Sequence, residues 1–128
     1  MRKQAATRQS DVLKVLEMHD KPMTAYAILD EMKLAEPGLA PPTIYRTLAA
    51  LTEQGRAHKL ESMKAFVPCR CDHKASVPVL AVCEECGTVE EHDGTALLPE
   101  LESLSAQSAF HATRHIVEIH GRCQTCAA

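Results

Sequence analysis

The sequence predicts an α+β chain of two units: an amino-terminal winged helix-turn-helix and a smaller carboxy-terminal unit of sheet and helix. Three observations carry this. Residues up to Val67 show helical periodicity three times and then a hairpin pattern. The following residues alternate strand, turn, strand, helix, strand. The chemistry divides at the same place. Residues 1–67 hold ten Lys/Arg against eight Asp/Glu, a net +2, and residues 68–128 hold four against nine, a net −5. All six cysteines lie in the second half.

The elements follow in order. Val12, Val15, Leu16 and His19 share one helical stripe beside Leu13, with Ser10 or Asp11 as the expected cap. A second helix places Ala25, Ile28, Leu29 and Met32 at i, i+3, i+4, i+7. Thr24 caps it, and Met23 is placed to staple onto Ile28. Pro37 and Gly38 end it. Pro41 and Pro42 suit a first turn, where a missing N–H is of little consequence. The third helix is expected over Thr43–Gln54, with Gly55 at the C′ position. His58–Ser62 and Ala65–Cys69 are extended runs around Met63-Lys64, a hairpin directly after that helix.

On the third helix Ile44, Leu48 and Leu51 form a narrow apolar stripe at 100° per residue. Tyr45 and Arg46 stand off it, by about 100° and about 160°. An exposed Arg on a helix is ordinarily solvated surface. Three helices followed by a hairpin change that reading, because the third helix of a winged helix enters the major groove. With aromatics at only 3%, single-strand binding by base stacking is disfavoured.

In the second half Val77–Cys83 reads as a strand and Thr88–Asp93 as the next, after a Cys-Gly turn. Leu97, Leu98, Leu101 and Leu104 mark a helix capped at or near Thr95, and His115–Gly121 alternates as a third strand. A three-stranded sheet buries little by itself, so this unit needs a metal, a partner subunit, or both.

Composition excludes several classes. The chain has 128 residues, 45% hydrophobic and 24% charged, which marks a globular protein with an aliphatic core. A net charge of −3 speaks against a blanket nucleic-acid coat. Val77–Cys83 is the best apolar run, far short of the ~20 residues of a membrane span. Met1–Ser10 is polar and lacks a secretory apolar segment. A cytoplasmic protein without membrane association is expected, in which cysteines serve as ligands or catalysts rather than disulfides. No nucleophile–base–orienter set points to an enzyme.

Cys83-Glu84-Glu85-Cys86-Gly87 and Cys123-Gln124-Thr125-Cys126 are two Cys-x-x-Cys knuckles, 36 residues apart. Two such turns complete the tetrahedron of a structural Zn²⁺ with no open position. A redox dithiol seldom comes with a second, matching pair. His58 and Cys69 fall at the start and end of the hairpin, where antiparallel pairing brings them together. His73 follows at the junction, and Glu91 and His92 lie past the first knuckle. These residues suit a second, mixed-ligand metal site across the junction. The alternative is that Cys69 and Cys71 are small core residues and the histidines surface groups.

The chain resembles the ferric uptake regulator family and, within it, the zinc uptake regulators. The match is carried by Pro42-Thr43-Ile44-Tyr45-Arg46-Thr47-Leu48, His58-Lys59-Leu60-Glu61, Cys83-x-x-Cys86-Gly87 and His115-Ile116-Val117-Glu118-Ile119-His120-Gly121-x-Cys123-x-x-Cys126. The resemblance implies a homodimeric, zinc-responsive repressor of zinc-uptake genes that binds double-stranded operator DNA with an inverted repeat. It implies a winged helix over residues 1–69, a hinge over 70–77 and a zinc-stapled dimerisation domain over 78–128. Tyr45 and Arg46, with Thr43 and Thr47 of the same motif, would meet DNA. Each subunit would hold one structural Zn²⁺ on Cys83, Cys86, Cys123 and Cys126, and at least one regulatory Zn²⁺ on His58, Cys69, His73 and Glu91. Cys71, Asp72, His92 and His115 are the alternatives for the last set, because residues 71–76 do not align cleanly with the family. Iron and peroxide sensors carry a His-rich run before the first knuckle where this chain has Ala75-Ser76-Val77-Pro78-Val79, which favours zinc over the same fold sensing iron, manganese or peroxide.

Overall fold

The computed structural model describes residues 5–70 and 77–128. The chain divides into two compact units, Met1–Cys69 and Arg70–Ala128.

The first unit opens with α1 (Ala5–Met18), followed by a two-residue strand β1 (Met23–Thr24) and α2 (Ala25–Met32). Then come α3 (Pro41–Glu53), β2 (Ala57–Leu60) and β3 (Ala65–Pro68). Ser10 and Asp11 lie inside α1 and do not cap it. The helix continues toward the amino terminus because Arg8, buried on α1, makes a two-pronged ion pair with Glu36 at 2.7 and 3.1 Å. A contact from beyond α2 thus holds the turn that local capping signals would have left out.

The α2 expectation holds at its start and along its buried stripe, while the helix ends at Met32, ahead of Pro37 and Gly38. Thr24 is the N-cap, and its hydroxyl accepts from the Ala27 N–H at 3.2 Å. Ala25, Ile28, Leu29 and Met32 are all buried. On α3, Pro41 opens the first turn and Gly55, at φ 74°, follows the C-cap Gln54. Ile44, Leu48 and Leu51 are fully buried, and join Val12, Leu16 and Ile28 in one aliphatic core. Each such side chain contributes about 1.5–3 kcal/mol on burial, so this unit has a substantial core of its own.

The hairpin β2–β3 is antiparallel, with His58 opposite Val67 and Ala57 opposite Pro68. β1 adds to its far side, giving the order β1-β3-β2. This third strand escapes a sequence reading because two residues carry no periodicity. Met23 pairs with Phe66, which ties the entry of α2 to the wing.

The second unit is a three-stranded sheet in the order β5-β4-β6. β4 (Pro78–Cys83) pairs antiparallel with β5 (Val89–Asp93) and parallel with β6 (Val117–Gly121). A 3-10 turn (Thr95–Leu97) leads into α4 (Leu98–Gln107), and α5 (Gln124–Ala127) follows β6. The expected cap at Thr95 takes another form: the Asp93 carboxylate accepts from the Thr95 N–H at 2.9 Å and from its hydroxyl. Among the described residues of this unit, the buried apolar side chains are Val77, Val79, Leu80, Val82 and Cys83, all in or beside one strand. No residue of α4 is buried.

Packing at Gly94 is tight. Its N–H donates to the Val77 carbonyl at 2.7 Å. A Cβ there would stand 2.5 Å from Val79 Cγ2 and 2.9 Å from the Val77 oxygen. Gly94→Ala is therefore expected to destabilise this unit by about 1–3 kcal/mol. A lowered urea midpoint for the second unit checks it.

Candidate metal centres and nucleic-acid interface

The two knuckles meet. Cys83 ends β4, and the turn after it is closed by the Gly87 N–H donating to the Cys83 carbonyl at 2.9 Å. Gly87 sits at φ 79°, a left-handed conformation that glycine adopts without strain. The parallel pairing of Cys83 with Gly121 carries Cys123 and Cys126 to the same end of the sheet. The Glu84 N–H donates to the Gly121 carbonyl at 2.7 Å, locking the two turns together.

All four sulfurs lie within 4.8 Å of one another. Cys86 Sγ and Cys123 Sγ are 3.8 Å apart, far beyond a bonded disulfide. Tetrahedral coordination at about 2.3 Å per Zn–S bond requires sulfurs about 3.8 Å apart. The four side chains therefore fit a bound metal ion in spacing and in donor chemistry.

The electrostatics agree. The Cys86 N–H points at Cys83 Sγ at 3.4 Å. That N–H, and then the Cys123 N–H, push the Cys83 thiol down to about 6. Cys86 is also lowered, first by the Thr88 hydroxyl and then by the Thr88 N–H. Cys126 is pushed up, first by its hydrogen bond with Cys123 and then by that with Cys83. Metal binding takes all four sulfurs as thiolates, so a bound dication would displace any thiol proton the cluster holds.

The second candidate set is divided between the units. In the first unit, His58 on β2 and Cys69 just past β3 bring a ring nitrogen and a thiol within 4.8 Å of each other. The hairpin register places them, and the Cys69 N–H donates to the Arg56 carbonyl at 2.9 Å. In the second unit, Glu91 on β5 accepts from the Arg70 N–H at 2.9 Å. His73, Cys71 and Asp72 lie outside the described residues.

Among the described residues, His92 does not join His58, Cys69 and Glu91. Glu91 pairs with Leu80 and His92 with Val79, so their side chains leave β5 on opposite faces. His92 is exposed and meets Glu90 at 3.3 Å. His115 precedes β6, with its Nε2 buried and lacking a hydrogen-bond partner; no described metal-ligand cluster includes it.

On α3, Tyr45 and Arg46 are exposed and Thr43 is half-buried. Thr47 departs from the expectation. It is buried, and its hydroxyl donates to the Thr43 carbonyl at 2.8 Å. That bond uses its one O–H within the helix, and the burial puts Thr47 on the core side of α3. One residue was missed: Tyr26 of α2 packs edge-on against Tyr45, with ring centroids 6.3 Å apart and planes at 80°. Its only sequence signal is that it falls off the buried stripe of α2 in a chain with two tyrosines.

A winged-helix unit joined to a sheet unit with a four-thiol centre defines a class of metal-binding helix-turn-helix proteins. The chain belongs to the ferric uptake regulator family, whose model matches residues 3–120. The zinc uptake regulation protein of Escherichia coli (strain K12) is 34% identical over 117 residues, spanning 91% of this chain and 68% of that protein. A zinc uptake regulator solved in complex with zinc and DNA matches with a TM-score of 0.86 and 33% identity, over 94% of this chain and 81% of the other. The crystal structure of holo XcZur gives a TM-score of 0.81 and 33% identity, over 93% and 83%. Among the described residues no helix is long and apolar enough to cross a membrane.

Proposed function

We propose that this protein is a zinc-responsive transcriptional repressor that binds operator DNA as a homodimer when zinc occupies a hinge site. The observation that carries the reading is the thiol of Cys69 beside the ring of His58 at the end of the winged unit. Thiolate with imidazole suits Zn²⁺ better than the oxygen-rich sets of harder metals. The likeness to zinc uptake regulators, over 91% and 94% of this chain, supports the same metal.

In this reading residues 1–69 read DNA, 70–77 form the hinge and 78–128 form the dimer core. Cys83, Cys86, Cys123 and Cys126 hold a structural zinc. His58, Cys69, Glu91 and a ligand from the junction, His73 first, hold the regulatory one. Glu91 is supported by its bond to Arg70, the residue after Cys69. Homodimerisation is supported by exposed Leu97, Leu104, Phe110, Ile116 and Ile119, an apolar set too large for a small sheet unit to leave in water. The two-fold dimer would read half-sites about one helical turn apart, or a multiple of it.

Zinc acts as a population shift. It binds the DNA-competent arrangement of the two units more tightly, and DNA tightens zinc in return. Mobility-shift titration of genomic promoter fragments under buffered zinc, iron or manganese tests the proposal. Selective retardation with zinc is expected; equal binding with and without zinc contradicts it.

Tyr45 and Arg46 are the proposed base-reading pair, with Tyr26 bracing the Tyr45 ring. Arg46→Ala is expected to weaken operator binding by about 1–3 kcal/mol, roughly 5- to 150-fold, with metal content unchanged. Fluorescence anisotropy on operator DNA, with zinc analysis of the same sample, checks both halves.

A further inference from the structure

We propose that Thr88 is a positioning residue of the four-thiol centre, whose hydroxyl holds the Cys86 thiolate and sets how readily that ligand leaves the metal. The inference rests on the reading that the four cysteines hold a metal ion. Thr88 grips both ends of the first knuckle. Its carbonyl accepts from the Cys83 N–H at 2.9 Å. Its hydroxyl lies 3.0 Å from Cys86 Sγ. A metal-bound thiolate carries no proton, so in the loaded centre the hydroxyl is the donor.

The placement is built by the chain. Gly87, at φ 79°, turns the backbone so that Thr88 comes back over the knuckle it has just left. Val89 then pairs with Val82, which fixes Thr88 just ahead of β5. A β-branched side chain at that point has restricted χ1 freedom, so the hydroxyl is aimed by the strand as well as attracted by the sulfur.

The consequence is chemical. A hydrogen bond to a ligand sulfur withdraws electron density and lowers its basicity. It also orients the ligand, as outer-shell partners of metal centres generally do. Without it the Cys86 arm loses the contact that holds its sulfur in place, and the metal is released more readily through that arm.

Thr88→Val keeps the branched shape and removes the donor; Thr88→Ser keeps the donor and removes the methyl. The full-length protein loaded with zinc is mixed with a chromophoric chelator, and the transfer rate from the tightly held site is followed. Thr88→Val is expected to release zinc about 10-fold faster, and Thr88→Ser to return toward wild type. In the cobalt-substituted protein, the sulfur-to-cobalt charge-transfer band of Thr88→Val should move to lower energy, and that of Thr88→Ser should not. Wild-type rates and band positions in Thr88→Val would overturn the proposal. So would fast release from Thr88→Ser, which would assign the effect to the methyl group. A wild-type protein showing no tetrathiolate cobalt spectrum would instead overturn the metal-centre reading itself.

Discussion

A Cys69→Ser protein is expected to keep one tightly held zinc per chain and to lose the zinc-dependent part of its operator affinity. His58→Ala should behave the same way. The two residues face each other at the end of the winged unit, with ligand atoms within 4.8 Å. Neither belongs to the four-thiol cluster, where every sulfur has three others as neighbours. Allosteric couplings of this kind amount to about 1–3 kcal/mol, so the zinc-dependent gain removed is of order 5- to 150-fold. One or two ligand bonds made only in the DNA-competent state suffice for that. Isothermal binding to operator DNA at fixed free zinc, beside zinc analysis of the same variants, reads both parts. Loss of all zinc and of folding in Cys69→Ser would show that the chain has a single structural site.

Cys123→Ser is expected to have the larger effect on the molecule as a whole. Among its described residues, the second unit buries apolar side chains from residues 77–83 and none from α4. It lacks the core that the winged unit builds from three helices. Apparent zinc binding in small tetrahedral sites contributes about 10–16 kcal/mol to folding, as much as the whole stability of a typical domain. Removing one ligand should therefore unfold residues 78–128 and abolish dimerisation, while α1, α2 and α3 stay folded. Loss of β6 and α4 amide protection in hydrogen exchange, with α3 protection retained, is the expected pattern. A dimer of unchanged melting temperature would contradict the structural assignment of the four cysteines.

Much of this was legible in the residues. The α2 helix was readable to its cap because Thr24, Met23 and a four-residue apolar stripe are local signals that agree with each other. The wing was readable because its strands are adjacent and its turn short. The start of α1 was not, since the pairing of Arg8 with Glu36 joins residues 28 apart. Thr47 shows a motif overriding geometry: it lies 60° from Ile44 on the helical wheel, near the buried stripe, and its burial follows. Tyr26 needed the packing of α2 against α3, which no single-helix periodicity contains. At the four-thiol cluster the cysteine spacing alone pointed to the four sulfurs that the structure brings together. The Thr88 contacts required the turn geometry that Gly87 imposes.

The charge division gains meaning from the same geometry. A chain of net −3 is a poor candidate for DNA binding when taken whole. Divided near Pro68, it presents a mildly basic unit with Arg46 exposed and an acidic unit carrying the four-thiol cluster. In the proposed function, a weakly basic reader would depend on holding two copies in register, which would make its binding sensitive to a metal at the hinge.

Operator affinity of the wild-type dimer, measured across buffered free zinc while the zinc content per chain is followed, tests the central claim most directly. The account predicts that the first zinc per chain is present throughout, and that affinity rises together with occupancy of the second. Affinity that is flat while the second zinc binds would contradict it.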